Sequence, residues 1–300
     1  MGVVAAPLCA AALAFAGSVA GCTSAPPSGA PQPPSSSTSA SDSTSTTTST
    51  STTTSTSTTT STTTSTSTTT STSTTTSTST TTSTTEPTPA LSGRVWNVIP
   101  TNAHVVALTF DGGANADGLP SILASLRAAG VRATFFVTGD FASAFPGLSA
   151  QIVAGGNRIG DHSVDHPSFT RLDDAQVRAE VLDASTTIRA ITGADPAPLF
   201  RFPYGDYDTR TLADVNALGY VAVGWTVDSL GWEGTSAGIT ASSIVARVMA
   251  GLRPGEIVLM HVGSNPTDGS TLDAAALPAV VAAIRAAGYS FVTLSALVGG

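Results

Sequence analysis

After residue 90 the chain alternates between short apolar runs and longer Ala-rich stretches. The apolar runs have the length and β-branched or aromatic content of strands. They occupy residues 105–110, 133–138, 158–161, 199–202, 220–225, 256–261 and 290–294. The Ala-rich stretches have helical periodicity, and several end at a glycine that can cap a helix; examples are 121–130, 175–193 and 277–288. The pattern predicts about seven strands joined by helices.

Strands that alternate with helices predict an α/β fold with a parallel sheet. The stronger runs, such as VVALTF at 105–110, are almost continuously apolar. Such runs are typical of strands that are covered on both faces. Two layouts fit this pattern: an open doubly wound sheet, and a (β/α) barrel with its helices outside.

The amino terminus has the pattern of an export signal. Residues 3–19 are apolar or small and lead into VAGC at 19–22, which has the small-residue character of a cleavage site. VAGC also resembles the bacterial lipobox, which implies that Cys22 is lipidated and anchors the mature protein to a membrane. Plain secretion and an uncleaved anchor are the alternatives, and no Lys or Arg precedes the apolar run. We expect a signal peptide at 1–22 and a cell-surface location.

Residues 23–90 have the composition of a linker. Between residues 35 and 85, all but two of the 51 positions are Ser or Thr. Such a segment cannot bury enough apolar surface to offset its ordering entropy, so we expect a disordered tether with a reach of about 45 Å. Residues 91–300 then form a single folded domain, for which a monomer is the expected form.

Charge and cysteine content exclude several classes of function. The 91–300 domain contains all 12 basic residues, every one of them Arg, and 18 of the 20 acidic residues, so its net charge is 12 − 18 = −6. An acidic domain without Lys is not expected to bind nucleic acid, which requires clustered cations. Cys9 and Cys22 both lie in the leader. The domain therefore has no disulfide, thiol ligand or thiol nucleophile.

Reactive side chains occur where five of the predicted strands end. They are Asp111, His162, Arg201, Asp228 and His261. The carboxyl ends of parallel barrel strands lie on one face, which is where such folds place their active sites. We therefore expect these five side chains to converge.

Histidine spacing adds a candidate metal site. His162 and His166 are four residues apart, which on a helical turn places both imidazoles within reach of one ion. His261, after the apolar run IVLM, could also be a hydrogen-bonded core residue, and His104 precedes its strand and is expected at the surface. Arg201 lies inside LFRF, which predicts a buried cation with a carboxylate partner.

Five ordered segments resemble the motifs of one protein family. They are TFDGG (109–113), HSVDH (162–166), RFPYG (201–205), DSLGW (228–232) and LMH (259–261). Over residues 103–296 the sequence is similar to the polysaccharide deacetylases of the NodB-homology family, carbohydrate esterase family 4. The resemblance implies a distorted (β/α) barrel.

The resemblance also implies the central chemistry of the site. His162 and His166 would hold a divalent metal, with zinc expected, that polarises the substrate carbonyl and lowers the pKa of bound water. Asp111 would be the general base, and His261 would be the general acid for the leaving nitrogen.

Five further roles follow from the same resemblance. Arg201 would orient the base, and Asp228 would stabilise the charged form of the acid. The backbone N–H of Tyr204 would complete the oxyanion site. Leu259 and Trp232 would form the walls of the apolar pocket for the acetyl methyl group.

One position departs from the family pattern. The second Asp of TFDDG, a metal ligand in the family, is Gly112 in this chain. Its place would be taken by water or by another carboxylate, and Asp161, Asp165 and Asp206 are the nearby candidates. The expected zinc affinity is therefore reduced.

The implied function is metal-dependent removal of N-acetyl groups from a cell-wall polysaccharide, either peptidoglycan or a chitin-like polymer. Two alternatives remain. One is an esterase that removes O-acetyl groups from xylan-type polymers, since both reactions pass through the same oxyanion. The other is a non-catalytic glycan-binding module that has lost its metal.

Overall fold

The computed structural model describes residues 91–299, so the predicted signal peptide (1–22) and linker (23–90) lie outside the described residues. Strands and helices alternate along the described chain. The strands are β1 (Val105–Gly112), β2 (Thr134–Val137), β3 (Arg158–Asp161), β4 (Leu199–Phe200), β5 (Val221–Ala222), β6 (Val227–Asp228), β7 (Glu256–His261) and β8 (Ser290–Phe291). The helices are α1 (Leu119–Ala129), α2 (Gly139–Ala144), α3 (Pro146–Ala154), α4 (Asp174–Thr192), α5 (Thr209–Ala217), α6 (Ala241–Gly251), α7 (Leu272–Ala286) and α8 (Ser295–Val298).

The strands form one parallel sheet in the order β5-β4-β3-β2-β1-β7-β6, and β8 pairs with the amino end of β1. Residues 96–98 connect its two sides, because Trp96 bridges to Val223, just after β5, and Val98 bridges to Glu256 in β7. The sheet therefore curls into a distorted (β/α) barrel. The barrel prediction is confirmed, and the open doubly wound layout is excluded.

The strand boundaries differ from the sequence prediction at several places, and the runs 199–202 and 290–294 form strands of only two residues. β1 continues to Gly112, so that Asp111 lies within the strand. The run 220–225 forms only a two-residue strand, because Gly224 pairs with Trp96 instead of β4. β6 was not predicted as a separate strand, since two residues are too few to show a pattern.

Alternation along β1 separates the two parts of the apolar core. Val106, Leu108 and Phe110 pack in the large cluster that includes the outer helices, whereas Ala107 packs in the smaller cluster formed with other strands. Because successive strand residues point to opposite faces, Asp111 shares the face of Ala107. The core packing therefore directs Asp111 away from the outer helices.

Local signals fix the helix ends. The predicted helix 175–193 is α4, which begins with a capping box between Asp173 and Gln176 and ends at Gly193 in the left-handed conformation.

Among residues 91–299, no helix is both long enough and apolar enough to cross a membrane.

Candidate active site

The strand-end residues meet at one end of the barrel. Asp111 lies in β1, His162 follows β3, Asp228 lies in β6 and His261 ends β7. These four line a cavity of about 710 Å³, and Arg201, which follows β4, is buried beneath it. The parallel strand order explains this convergence, since all of these strands end on the same side.

Arg201 is a buried cation held from several directions. Its Nη1 donates hydrogen bonds to Asp111 Oδ1 at 2.6 Å and to Thr109 Oγ1 at 2.9 Å. Nη2 donates to the carbonyl of Gly224 at 3.0 Å, and Nε donates to that of Val223 at 3.3 Å. The carboxylate partner expected from the sequence is therefore Asp111.

Asp111 remains ionised despite its burial. Burial alone would raise its pKa, but the charge of Arg201 outweighs this effect and lowers the pKa below the ordinary value. Arg201 occupies Oδ1, so Oδ2 is the oxygen left for chemistry. It lies 3.4 Å from Nε2 of His162.

The two histidines of HSVDH are neutral and adjacent. Nδ1 of His162 lies 2.8 Å from the carbonyl of Arg201, which can only accept, so the proton is on Nδ1 and the lone pair is on Nε2. Burial lowers the pKa of His162. Burial is the main cause that lowers the pKa of His166 to about 4, and the two rings are 4.8 Å apart.

These residues fit a divalent ion in part. Neutral imidazoles suit zinc. Within residues 91–299, however, no three His, Cys, Asp or Glu side chains are arranged to share an ion. The set lacks one of the three protein ligands that are usual at catalytic zinc.

Gly112 explains the missing ligand. A Cβ added there would lie 3.1 Å from Val262 Cγ2 and 3.4 Å from the ring of Phe141, both in the outer core. Position 112 therefore faces apolar packing and supplies no donor.

Of the three predicted replacement carboxylates, only Asp165 lines the cavity. Asp161 is fully buried and does not line the cavity, and burial raises its pKa well above the ordinary value, which disfavours the ionised form that a metal ligand needs. Asp206 accepts hydrogen bonds from Ser168 and Thr170. A further carboxylate, Asp140 at the start of α2, lines the cavity and was missed by the sequence analysis.

His261 lies among carboxylates that favour its charged form. Burial lowers its pKa, but the neighbouring carboxylate of Asp273 and the charges of Asp111 and Asp228 together raise it above the ordinary value. Nδ1 lies 3.8 Å from Asp273 Oδ2, and the backbone N–H of His261 donates to the same oxygen at 2.8 Å.

The predicted partner of His261, Asp228, contributes less than Asp273. Its Oδ1 accepts the N–H of Leu230 at 2.9 Å, and its Oδ2 accepts Nε1–H of Trp232 at 3.3 Å. The sequence analysis missed Asp273, because an acidic residue in the first turn of a helix is ordinary.

Aromatic side chains form the exposed edge of the cavity. Tyr204 is 72% exposed and Trp232 is 48% exposed, and both line the cavity together with buried Leu259. His104 is exposed, as expected, and stacks on Tyr289. A larger cavity of about 850 Å³ contains none of the predicted site residues.

Backbone strain is concentrated around the same cavity. Among residues 91–299, the left-handed conformation occurs at four residues other than glycine: Ser163, His166, Tyr204 and Leu230. All four lie in the loops that carry the predicted site. Such conformations are unfavourable for these residues and cluster at functional sites.

Comparison with known proteins identifies the family. Residues 99–223 match the family model described as polysaccharide deacetylase. A chitooligosaccharide deacetylase from Azorhizobium caulinodans is 32% identical over 200 residues, which cover 64% of this chain and 93% of that protein. The chain belongs to the polysaccharide deacetylase family.

Solved structures of family members show the same barrel as this chain. The Bc1960 peptidoglycan N-acetylglucosamine deacetylase has a TM-score of 0.63 and 28% identity, and the match covers 68% of this chain and 92% of that one. A second similar structure is BA3943 from Bacillus anthracis, described as a pseudoenzyme of carbohydrate esterase family 4. It has the same TM-score and 25% identity, with 69% of this chain and 70% of that one covered.

Proposed function

We propose that the protein removes N-acetyl groups from a cell-wall polysaccharide by hydrolysis. The observation that carries this proposal is that Asp111 and His261 line one cavity and that their pKa values are shifted in opposite directions. The surroundings of Asp111 lower its pKa, whereas those of His261 raise its pKa. Environments that push two pKa values apart in this way are typical of a base and an acid that act together.

Asp111 is the general base in this proposal. Its Oδ2 lies at the cavity and accepts a proton from the attacking water, while Oδ1 stays bound to Arg201. Arg201 keeps the carboxylate oriented and anionic, because its guanidinium is fixed by four hydrogen bonds.

His261 is the general acid. An amide nitrogen leaves as a neutral amine only when it receives a proton, and the raised pKa of His261 favours the protonated imidazole that would supply it. The backbone N–H of Tyr204 is the proposed oxyanion donor, supported by the position of this residue at the cavity wall. Leu259 and Trp232 provide apolar surface there for the acetyl methyl group.

His162 and His166 would hold a divalent metal, with zinc as the best fit to two neutral imidazoles. When bound, this ion supplies Lewis-acid polarisation and lowers the pKa of water. With Gly112 in place of a third protein ligand, we expect weaker binding than at a three-ligand site.

Relatives support the substrate class. Their names describe deacetylases of chitooligosaccharide and of N-acetylglucosamine in peptidoglycan. The exposed faces of Tyr204 and Trp232 suit a sugar chain lying across an open cavity. We propose that the protein is exported, with Cys22 as a lipid anchor and residues 23–90 as a tether, and acts as a monomer on the wall.

A non-catalytic glycan-binding module is the second candidate. Gly112 and the incomplete ligand set favour it, as does similarity to a solved family pseudoenzyme. The presence of Asp111, Arg201 and His261 favours a catalytic function over a binding module. An O-acetyl esterase is the alternative within the enzyme class.

Acetate release separates these candidates. The purified protein is incubated with N-acetylglucosamine oligomers or with acetylated xylan, each with added Zn²⁺ and with a chelator. The proposal predicts acetate from the oligomers that is lost with chelator and restored by zinc. Faster release from xylan would identify the esterase, and oligomer binding without release at any zinc concentration would identify the binding module.

A further inference from the structure

Asp273 is a buried acid with an incomplete set of partners. It lies in the first turn of α7 and is 3% exposed. Its Oδ2 accepts the backbone N–H of His261, whereas Oδ1 has no hydrogen-bond partner within the described part of the chain. A buried carboxylate is costly unless it meets a hydrogen-bond donor or a cation.

The imidazole of His261 lies beside this carboxylate. Its Nδ1 is buried and also lacks a hydrogen-bond partner among the described residues, and it lies 3.8 Å from Asp273 Oδ2. A shift of about 1 Å would bring the two atoms to hydrogen-bond distance. With Nδ1 directed at Asp273, the opposite ring nitrogen Nε2 is left for the substrate.

Gly231 leaves the space that this carboxylate occupies. A Cβ added at position 231 would lie 2.3 Å from Oδ1, 2.5 Å from Cγ and 2.8 Å from Oδ2 of Asp273. Gly231 is not among the residues with positive φ, so its backbone suits other residues as well. Glycine is therefore needed at 231 for room and not for conformation.

We propose that Asp273 is the positioning residue of His261. The absence of a side chain at Gly231 leaves the space in which the Asp273 carboxylate, carried by α7, reaches the imidazole. This inference deepens the proposed function and rests on it for the role of His261. Asp228, the partner implied by family resemblance, then serves mainly to hold the loop of Leu230 and Trp232. The geometry also implies that a carboxylate attached at position 231 would reach the same place.

The test moves the carboxylate from one chain position to the other. Asp273→Asn and Asp273→Ala remove it, and the double variant Gly231→Asp with Asp273→Ala restores it from position 231. Asp174→Asn is the matched control, since Asp174 is an exposed acid in the first turn of α4. Folding of each variant is checked by its thermal unfolding midpoint.

We expect Asp273→Asn to lower kcat on N-acetylglucosamine oligomers by about 10-fold or more, with KM within about two-fold. The double variant should regain most of the kcat that Asp273→Ala loses. Gly231→Asp alone should lose activity, because its side chain meets Asp273. A folded double variant no better than Asp273→Ala would overturn the inference.

A second readout does not depend on activity. The chain has four histidines, so the His261 imidazole can be followed by NMR during a pH titration. Asp273→Asn should move the titration of His261 to lower pH by about one unit, and Asp174→Asn should leave it in place. An unchanged titration would refute the contact. If Asp273→Asn shifts the His261 titration as expected but wild-type protein releases no acetate, the proposed function is refuted and the inferred contact stands.

Discussion

The guanidinium of Arg201 and the carboxylate of Asp111 form a buried ion pair at 2.6 Å that joins the end of β4 to β1. Arg201 is completely inaccessible to solvent, and only one oxygen of Asp111 is left for the cavity. The pair therefore combines two roles, because the contact that stabilises the barrel also orients the proposed base.

Removing Arg201 should damage both stability and catalysis. Arg201→Met leaves the Asp111 charge buried without its partner, so we expect a loss of about 3–5 kcal/mol in the free energy of unfolding. Urea unfolding measures this. The control is Arg210→Met, whose exposed pair with Asp174 should cost about 1 kcal/mol or less. Equal effects of the two substitutions would contradict the assigned role of Arg201.

Supplying a carboxylate at position 112 should strengthen zinc binding. A Cβ at 112 meets Val262 Cγ2 at 3.1 Å, so the double variant Gly112→Asp with Val262→Ala removes that contact and lets the backbone at 112 accept a side chain. Isothermal titration with Zn²⁺ should show affinity at least about 10-fold tighter than wild type. Val262→Ala alone is the control, and an unchanged affinity would mean that another ligand already fills the position.

Glu256 should make stability depend on pH. Burial raises its pKa from 4.5 to about 7, and neither carboxylate oxygen has a hydrogen-bond partner among the described residues. Between these two values the native state keeps a proton that the unfolded state has lost, so stability falls as pH rises through this window. Glu256→Gln should be more stable than wild type at pH 8 by about 1–3 kcal/mol, and the difference should vanish near pH 4.5. A stability difference between Glu256→Gln and wild type that does not change with pH would contradict the raised pKa of Glu256.

Cys22 should determine membrane attachment. If VAGC is a lipobox, wild-type protein made in a bacterium sediments with membranes and incorporates labelled fatty acid. Cys22→Ala should abolish both, whereas Cys9→Ala should change neither. Fatty-acid incorporation that survives Cys22→Ala would exclude the proposed anchor.

The sequence pattern predicts parallel strands whose polar end residues converge because these signals are local, whereas the choice of a barrel over an open sheet rested on the family resemblance. Asp111 and His261 each stand at the end of an apolar run, and parallel strands bring such ends together. Asp273 could not be predicted in this way. It lies in a helix, and its contact with His261 depends on how α7 packs and on the room at Gly231.

The surroundings of position 112 could not be predicted from the sequence either. The motif shows that a carboxylate is missing, but only the packing shows that position 112 faces Val262 and Phe141. The sequence also could not select among Asp161, Asp165 and Asp206, because exposure to the cavity depends on tertiary structure.

The measurement that tests the central claim most directly compares wild type with Asp111→Asn for acetate release and for binding of the same N-acetylglucosamine oligomer. The control is Asp183→Asn, an exposed acid on α4. The account predicts that Asp111→Asn binds the oligomer as wild type does but releases acetate about 100-fold more slowly or worse, with Asp183→Asn unaffected. Equal acetate release by wild type and Asp111→Asn would contradict it, as would binding by wild type without any release.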